Sequence, residues 1–158
     1  MEYSYGAFGE DIYQIINQIK KSEYIPDLVI GIIRGGLVPA VCLSHKFNAK
    51  LFPLLWQTRD GNQRDMQGLY EAITSKPEQN ILIVDDIVDS GITMREINNT
   101  IEMFPLAPKQ LIPLIGRIKY CSLVYNKTQR EFNVDYYGRT IDRDITNEWV
   151  NFWWEKQR

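Results

Sequence analysis

The chain has 158 residues, 44% of them hydrophobic and 24% charged, a composition typical of one globular domain with a buried core. Its formal net charge of −2, with no basic block, argues against a dedicated nucleic-acid surface. Cys42 and Cys121 stand in no metal or redox spacing, the first residues lack a signal-peptide pattern, and no apolar run approaches membrane-spanning length. We therefore expect a single cytoplasmic domain over residues 1–158, without nucleic-acid or membrane partners.

Helical and extended patterns alternate through the first half of the chain. Apolar residues at helical spacing predict a helix over residues 8–21, and apolar runs predict strands at 28–33 and 50–56. A second helix is predicted over residues 37–47, and a short one over 69–76. This alternation predicts an α/β fold with a mainly parallel, doubly wound sheet flanked by helices.

The stretch at residues 81–93 joins a strand to a helix through polar residues. Four apolar residues at 81–84 predict a strand buried on both faces, and Asp85 and Asp86 follow it. A polar turn at 89–91 leads into a helical pattern with apolar positions at Met94, Ile97, Ile101 and Phe104. Ligands of open α/β sheets bind outside the carboxyl ends of strands, and a helix start offers N–H groups to a phosphate. Two neighbouring carboxylates repel each other, and a sugar diol and Mg²⁺ would relieve that repulsion.

This stretch resembles the phosphoribosyl-pyrophosphate signature of the type I phosphoribosyltransferases, in which two hydrophobic residues and two acids precede a short spacer and an Asp-Ser/Thr-Gly turn. The resemblance implies that Asp85 and Asp86 bind the ribose hydroxyls and Mg²⁺. It also implies that the turn binds the 5′-phosphate through Asp89, Ser90, Gly91, Ile92 and Thr93. Asp89 lies where family members place a carboxylate near N7 of the base, so it is our candidate for proton transfer. The alternative is that its side chain only caps the helix.

A second loop, Arg34-Gly35-Gly36, follows the strand predicted at 28–33 and precedes a helix. Paired glycines let a backbone approach an anion closely, and Arg34 adds a fixed positive charge. Together with residues 37–39, the loop resembles that of the bacterial xanthine–guanine enzymes. The resemblance implies that it binds the pyrophosphate of phosphoribosyl pyrophosphate.

Residues 57–65 are a polar run without periodicity, which predicts a mobile loop. Residues 62–65 look like a loop that closes over the site in similar enzymes. The resemblance implies a lid that excludes water from an oxocarbenium-like transition state, with Arg64 reaching pyrophosphate. A solvated surface loop is the alternative.

The last third of the chain contains weaker patterns. An apolar run at 110–115 predicts a strand, residues 120–133 a polar excursion or hairpin, and residues 134–137 a short last strand. The aromatic residues that follow resemble the hood of the 6-oxopurine phosphoribosyltransferases, formed here mainly by residues 134–158. The resemblance implies that the purine is bound by the ring of Trp149, the backbone of Val150 and the terminal acid Glu155.

Members with this hood place a lysine at the end of the preceding strand, where it bonds to the exocyclic oxygen O6 of the purine. With that strand placed at 110–115, the closest basic residues here are Arg117 and Lys119. We expect one of the two to donate to O6, although arginine differs from lysine in reach and geometry.

The function implied is transfer of a 5-phosphoribosyl group from phosphoribosyl pyrophosphate to a 6-oxopurine in purine salvage, with Mg²⁺ as cofactor and a homodimer or homotetramer as the assembly. Two alternatives stay open: a regulator of the same fold that binds nucleotide without catalysis, and a transferase for another base. A receiver-like signalling domain is excluded because the acids lie mid-chain and run directly into a phosphate turn.

Overall fold

Strands and helices alternate along the residues that the computed structural model describes, 1–58 and 61–155. In chain order they are β1 Glu2–Tyr3, α1 Tyr5–Lys21, β2 Leu28–Ile33, α2 Leu37–Phe47, β3 Lys50–Leu55, α3 Met66–Thr74, β4 Ile81–Val88, α4 Ile92–Glu102, α5 Pro108–Gly116, β5 Ile118–Asn126, β6 Tyr136–Ile141, β7 Asn151–Phe152 and a 3₁₀ turn, Trp153–Glu155. The strand predicted at 28–33 and the helix predicted at 37–47 are confirmed as β2 and α2.

Five strands form one parallel sheet in the order β3-β2-β4-β5-β6. Within it, Ile30 of β2 lies between Phe52 of β3 and Ile83 of β4. Asp85 of β4 lies opposite Ser122 of β5. Because all five strands run in the same direction, their carboxyl ends meet at one edge, where open α/β sheets bind ligands.

Helices cover both faces of this sheet, because alternate residues of its buried strands point to opposite sides. One buried cluster joins Val29 and Leu82 to α1 and α2 through Phe8, Ile15, Ile19, Ala40 and Leu43. The other joins Ile30 and Ile83 to α3, α4 and α5 through Leu69, Ile73, Met94, Ile97, Ile101 and Leu114. The doubly wound parallel arrangement predicted from the sequence is therefore confirmed.

Helix α5 replaces the strand predicted at 110–115, so that prediction is wrong. Pro113 would remove a ladder hydrogen bond from a central strand, whereas Pro108 fits the first helical turn, where its missing N–H needs no partner. The strand of this region is β5, which occupies much of the stretch predicted as a polar excursion or hairpin. It lies between β4 and β6, and β6 continues to Ile141 where the sequence predicts a strand at 134–137.

Strand β4 is longer than predicted and extends to Val88. Asp85 and Asp86 therefore lie inside the strand instead of after it. The apolar stripe predicted for the following helix is confirmed, since Met94, Ile97 and Ile101 of α4 are buried.

The first and last strands, β1 and β7, form a separate two-stranded parallel sheet with Tyr3 opposite Phe152. Tyr3 is buried, and its hydroxyl donates to Oδ2 of Asp11 at 2.6 Å. The same carboxylate oxygen accepts from Nε of Arg139 at 2.7 Å. These bonds attach β1 to α1 and β6, and β1 in turn holds β7 of the C-terminal segment through strand pairing. None of the helices in the described ranges has the length and apolar character to span a bilayer.

Candidate active site

A cavity of about 250 Å³ opens at the carboxyl edge of the parallel sheet. Its lining comes from the loop after β2, the residues after β3, the end of β4, the start of α4 and the C-terminal segment. The fold thus brings together eleven of the residues predicted as binding groups: Arg34, Gly35, Asp85, Asp86, Asp89, Ser90, Gly91, Thr93, Trp149, Val150 and Glu155.

The two acids of β4 differ in their surroundings. Asp86 is 8% exposed, and its Oδ1 accepts from the N–H of Ile87 at 2.8 Å. Burial raises the pKa of Asp86 to about 6, and the carboxylate of Glu155 adds to the rise. Asp85 is less buried, and its Oδ1 accepts from the N–H of Asp86 at 2.9 Å. A cation or a hydroxyl donor in the cavity would compensate the buried charge of Asp86.

The loop after β2 packs against these acids so closely that it requires glycine. A Cβ atom at Gly35 would lie 1.7 Å from Oδ2 of Asp86, and one at Gly36 would lie 2.5 Å from the carbonyl oxygen of Val84. Arg34 and Gly35 form part of the cavity lining, whereas Gly36, which precedes α2, is not among the lining residues. The backbone of this loop therefore faces the same space as the acids, with the guanidinium-bearing Arg34 at its start.

The turn between β4 and α4 has the geometry of a phosphate site. Gly91 precedes the helix with φ +80°, a left-handed conformation that other residues rarely adopt. The turn presents Ser90 and Thr93 to the cavity, and the start of α4 contributes a partial positive charge. Ile92, the first residue of α4, is 38% exposed and lies outside the lining, and its N–H donates to Oγ of Ser90 at 3.4 Å.

Arg64 lies beside the cavity, where it is paired with Glu96 of α4. Its Nη2 and Nε donate to Oε2 of Glu96 at 2.7 and 3.0 Å. A backbone bridge between Trp56 and Arg64 joins the two ends of the loop. Residues 59 and 60 of this loop lie outside the described ranges. The structure therefore places this predicted lid arginine on a carboxylate and not on the cavity wall.

Asp89 is held by a residue that the sequence reasoning missed. Arg143 donates from Nε to Oδ1 of Asp89 at 2.8 Å and from Nη2 to Oδ2 at 3.0 Å. Buried Asn126, at the end of β5, donates from Nδ2 to the carbonyl oxygen of Asp89 at 2.9 Å. No sequence motif marks Arg143, because the contact joins positions 54 residues apart through the tertiary fold.

The C-terminal segment supplies the apolar side of the cavity. Trp149 is 60% exposed, while the neighbouring Val150 and Phe152 are buried. All three line the cavity, and Glu155 also lines it. A large ring that remains partly exposed beside buried neighbours is suited to stacking on a flat ligand.

Arg117 and Lys119 do not reach the cavity, which contradicts their predicted role as base contacts. They lie at the start of β5, where Arg117 donates to the carbonyl oxygen of Glu78 at 2.9 Å and Lys119 pairs with Asp135 at 3.0 Å. The site lies at the opposite end of that strand. The wrong role follows from the wrong strand position. A strand at 110–115 would end just before Arg117 and Lys119, whereas these residues lie at the start of β5.

Lys127 is the lysine that follows the true end of the strand. Its Nζ lies 3.2 Å from Oδ2 of Asp142, and its side chain is 54% exposed. The adjacent Asn126 and Thr128 line a second cavity of about 440 Å³ that shares Asp89, Ser90, Arg143 and Trp149 with the first. A correct strand boundary would have identified Lys127 from sequence.

The acids of β4 fit Mg²⁺ only together with a substrate. Within the ranges 1–58 and 61–155, no group of three or more His, Cys, Asp or Glu side chains could hold a metal ion. Mg²⁺ commonly binds through one or two carboxylates completed by substrate phosphates and water. Asp85 and Asp86 provide such a pair, and the raised pKa of buried Asp86 is what a cation would lower.

A parallel α/β sheet with paired acids, a phosphate turn and a glycine loop at its carboxyl edge defines a protein that binds a phosphorylated sugar or nucleotide. The family model described as phosphoribosyl transferase domain matches residues 4–156, and the chain belongs to this family. The resemblance inferred from residues 81–93 is therefore confirmed.

Curated relatives include xanthine-guanine phosphoribosyltransferases. That of Gluconobacter oxydans is 26% identical over 131 residues, which cover 80% of this chain and 67% of the relative. That of Chromohalobacter salexigens is 25% identical over 157 residues, which cover 96% of this chain and 82% of the relative.

Solved structures support the same fold. A purine phosphoribosyltransferase from Pyrococcus horikoshii aligns with a TM-score of 0.68 at 23% identity, covering 100% of this chain and 95% of the other. The Helicobacter pylori xanthine-guanine-hypoxanthine phosphoribosyltransferase aligns with the same TM-score of 0.68 at 19% identity, covering 98% and 92% of the two chains.

Proposed function

We propose that this protein transfers the 5-phosphoribosyl group of phosphoribosyl pyrophosphate to a 6-oxopurine, giving a nucleotide and pyrophosphate. The observation that carries the proposal is the convergence of three kinds of group on one cavity: the paired acids of β4, the phosphate turn before α4 and the aromatic Trp149. A sugar phosphate and a flat base need these groups side by side. Family membership supports the type of transfer.

The donor would occupy the end of the cavity near the sheet. The turn of residues 89–93 would hold the 5′-phosphate through N–H groups and the hydroxyls of Ser90 and Thr93. Asp85 and Asp86 would accept from the ribose hydroxyls. Arg34 and the N–H of Gly35 would bind the pyrophosphate, and Arg64 would join them after leaving Glu96.

The acceptor base would lie against Trp149, in the part of the cavity that Asp89 and Arg143 border. Stacking on an aromatic ring contributes about 1–3 kcal/mol per base. Lys127 would exchange its contact with Asp142 for the exocyclic oxygen of the purine. Glu155 and the backbone of Val150 would contact the far edge of the ring.

In the reaction the bond from C1 of the ribose to the pyrophosphate oxygen breaks and a bond from C1 to a purine nitrogen forms. Pyrophosphate leaves with the bonding electrons, and the ring proton of the purine passes to Asp89. Mg²⁺ held by Asp85 and Asp86 would supply charge compensation for the leaving group. The residues of the hood would exclude water from the oxocarbenium-like centre.

The proposal is tested by a base-by-base turnover screen. Purified protein is mixed with phosphoribosyl pyrophosphate, Mg²⁺ and one of hypoxanthine, guanine, xanthine or adenine, and both pyrophosphate and nucleotide are measured. We expect turnover with at least one 6-oxopurine, and Asp89→Asn should retain donor binding while losing rate by roughly 10²-fold or more.

Two results would reject the proposal in different ways. Binding of nucleotide without release of pyrophosphate for any base would favour the regulator of the same fold. Turnover confined to adenine would favour a transferase for another base. The structure contradicts the alternative of a helix cap, since α4 has no side-chain cap and the Asp89 carboxylate accepts from Arg143. An Asp89→Asn variant with unchanged turnover would therefore remove Asp89 from proton transfer and leave it as a structural partner of Arg143.

A further inference from the structure

The contact between Arg143 and Asp89 has the geometry of a forked ion pair. Two parallel N–H···O bonds of 2.8 and 3.0 Å join Nε and Nη2 to the two carboxylate oxygens. The side chains are only 18% and 22% exposed. Such bidentate pairs fix the plane of the carboxylate, which a single-point contact from lysine would not do.

The remaining nitrogen of the same guanidinium reaches the hood. Nη1 of Arg143 donates to the carbonyl oxygen of Glu148 at 2.5 Å, and Glu148 directly precedes Trp149. Arg143 and Trp149 both line the cavity. One side chain therefore connects the acid in the turn before α4 with the backbone that carries the exposed ring.

Asn126 holds the other side of this arrangement. It is 5% exposed, and besides donating to the carbonyl oxygen of Asp89 it accepts from Oγ1 of Thr128 at 2.8 Å and from the N–H of Thr128 at 3.1 Å. Its Oδ1 also accepts from the N–H of Arg143 at 3.4 Å. Asp89 and Arg143 are thus oriented from three parts of the chain, the turn after β4, the end of β5 and the C-terminal segment.

We propose that Arg143 is a positioning residue for the transfer reaction, holding Asp89 as an anion in one orientation and tying that orientation to the place of Trp149. The inference rests on the proposed function. A purine nitrogen that bonds to C1 of the ribose leaves the ring positively charged, so its N–H becomes strongly acidic. A carboxylate fixed in one orientation is then a sufficient acceptor for that proton.

Arg143 supplies one of the two positive charges among the described residues that line the cavity around Asp89. The cavity is also lined by Asp85 and Asp86 from β4, Glu155 from the last turn and Arg34 from the loop after β2. Without Arg143, the described residues that line the cavity with Asp89 would include three other carboxylates and one cation. Among the described lining residues, Arg143 is the cation that contacts the Asp89 carboxylate directly.

The test compares Arg143→Gln, Arg143→Lys and the control Arg117→Gln, which removes the same charge at the far end of the sheet. For Arg143→Gln we expect kcat/KM for the base to fall by roughly 10–100-fold, mainly through kcat. The KM for phosphoribosyl pyrophosphate should stay close to wild type. Arg143→Lys should recover part of kcat, and Arg117→Gln should behave as wild type.

A readout without turnover separates this inference from the proposed function. In protein labelled with ¹³C at aspartate carboxyls, assigned through Asp89→Asn, the carboxyl resonance of Asp89 should move in Arg143→Gln and stay near its wild-type position in Arg143→Lys. If wild type is inactive with every base, the proposed function fails while this resonance still tests the pair. If wild type is active but Arg143→Gln keeps its kcat, or loses activity only in proportion to folded protein, the inference is overturned.

Discussion

Gly35 and Asp86 lie so close that no side chain fits between them: a Cβ on Gly35 would be 1.7 Å from Oδ2 and 2.3 Å from Cγ of the carboxylate. The glycine loop and the acidic strand thus form one wall of the cavity. Since Asp86 is buried and held by the N–H of Ile87, it cannot move away cheaply.

Substitution Gly35→Ala should therefore displace the loop and weaken donor binding. A steric displacement of this kind costs about 1–3 kcal/mol, which corresponds to roughly tenfold or more in affinity for phosphoribosyl pyrophosphate. Calorimetric titration in the presence of Mg²⁺ measures it. The control is Gly9→Ala, since a Cβ on Gly9 of α1 meets nothing within 4 Å. Equal affinities for the two variants would contradict the assignment of the loop.

The raised pKa of Asp86 predicts a pH-dependent penalty on stability. Because burial brings the pKa to about 6, above that of an unfolded chain, the native state binds the proton more tightly. The Asp86 contribution to the free energy of unfolding therefore falls as pH rises from about 4 to 6 and is level above that. Asp86→Asn should match wild type below pH 4 and exceed it by roughly 2–3 kcal/mol at pH 7.

Urea unfolding of both proteins, with EDTA and without donor, measures this difference across the pH range. Asn can still accept the N–H of Ile87, so the comparison isolates the charge. A difference between the two proteins that is the same at pH 4 and pH 7 would show that Asp86 titrates normally.

Lys127 and Lys119 offer a matched pair for base recognition. Both form partly exposed ion pairs, with Asp142 at 3.2 Å and Asp135 at 3.0 Å, but only Lys127 follows the carboxyl end of β5. A hydrogen bond to a charged group contributes about 1.5–3 kcal/mol, so Lys127→Ala should raise the KM for hypoxanthine or guanine by roughly tenfold or more. Lys119→Ala should leave it unchanged. The opposite ranking of the two variants would restore the original sequence prediction.

The pair between Arg64 and Glu96 predicts an unusual gain of affinity. If Arg64 leaves Glu96 to bind pyrophosphate, the pair opposes binding, and Glu96→Gln should tighten the donor complex by up to about fivefold, the worth of a partly exposed ion pair. Arg64→Ala should weaken donor binding. The double variant should resemble Arg64→Ala, because Glu96 then has nothing to release. Weaker binding by Glu96→Gln would mean that Glu96 orients Arg64 for the donor.

The sequence by itself determined the parts of this protein that are local. Each of three segments carries its candidate binding groups within a few consecutive residues: the strand that contains Asp85 and Asp86, the turn up to Thr93, and the glycine loop. The sequence signals for strand, turn and helix therefore coincide with the candidate site. Parallel strands bring such junctions to one edge, which is why the position of the cavity followed from the pattern.

The tertiary structure decided what depends on register and distant partners. An apolar run of six residues suits a strand or a helix equally, and only packing placed α5 on one face and β5 in the sheet. The basic residue that follows the strand is therefore Lys127 and not Arg117 or Lys119. The pairing of Asp89 with Arg143, and of Arg64 with Glu96, joins residues 54 and 32 positions apart. Ion pairs of this kind leave no local signal in the sequence, because the fold brings their two partners together from distant parts of the chain.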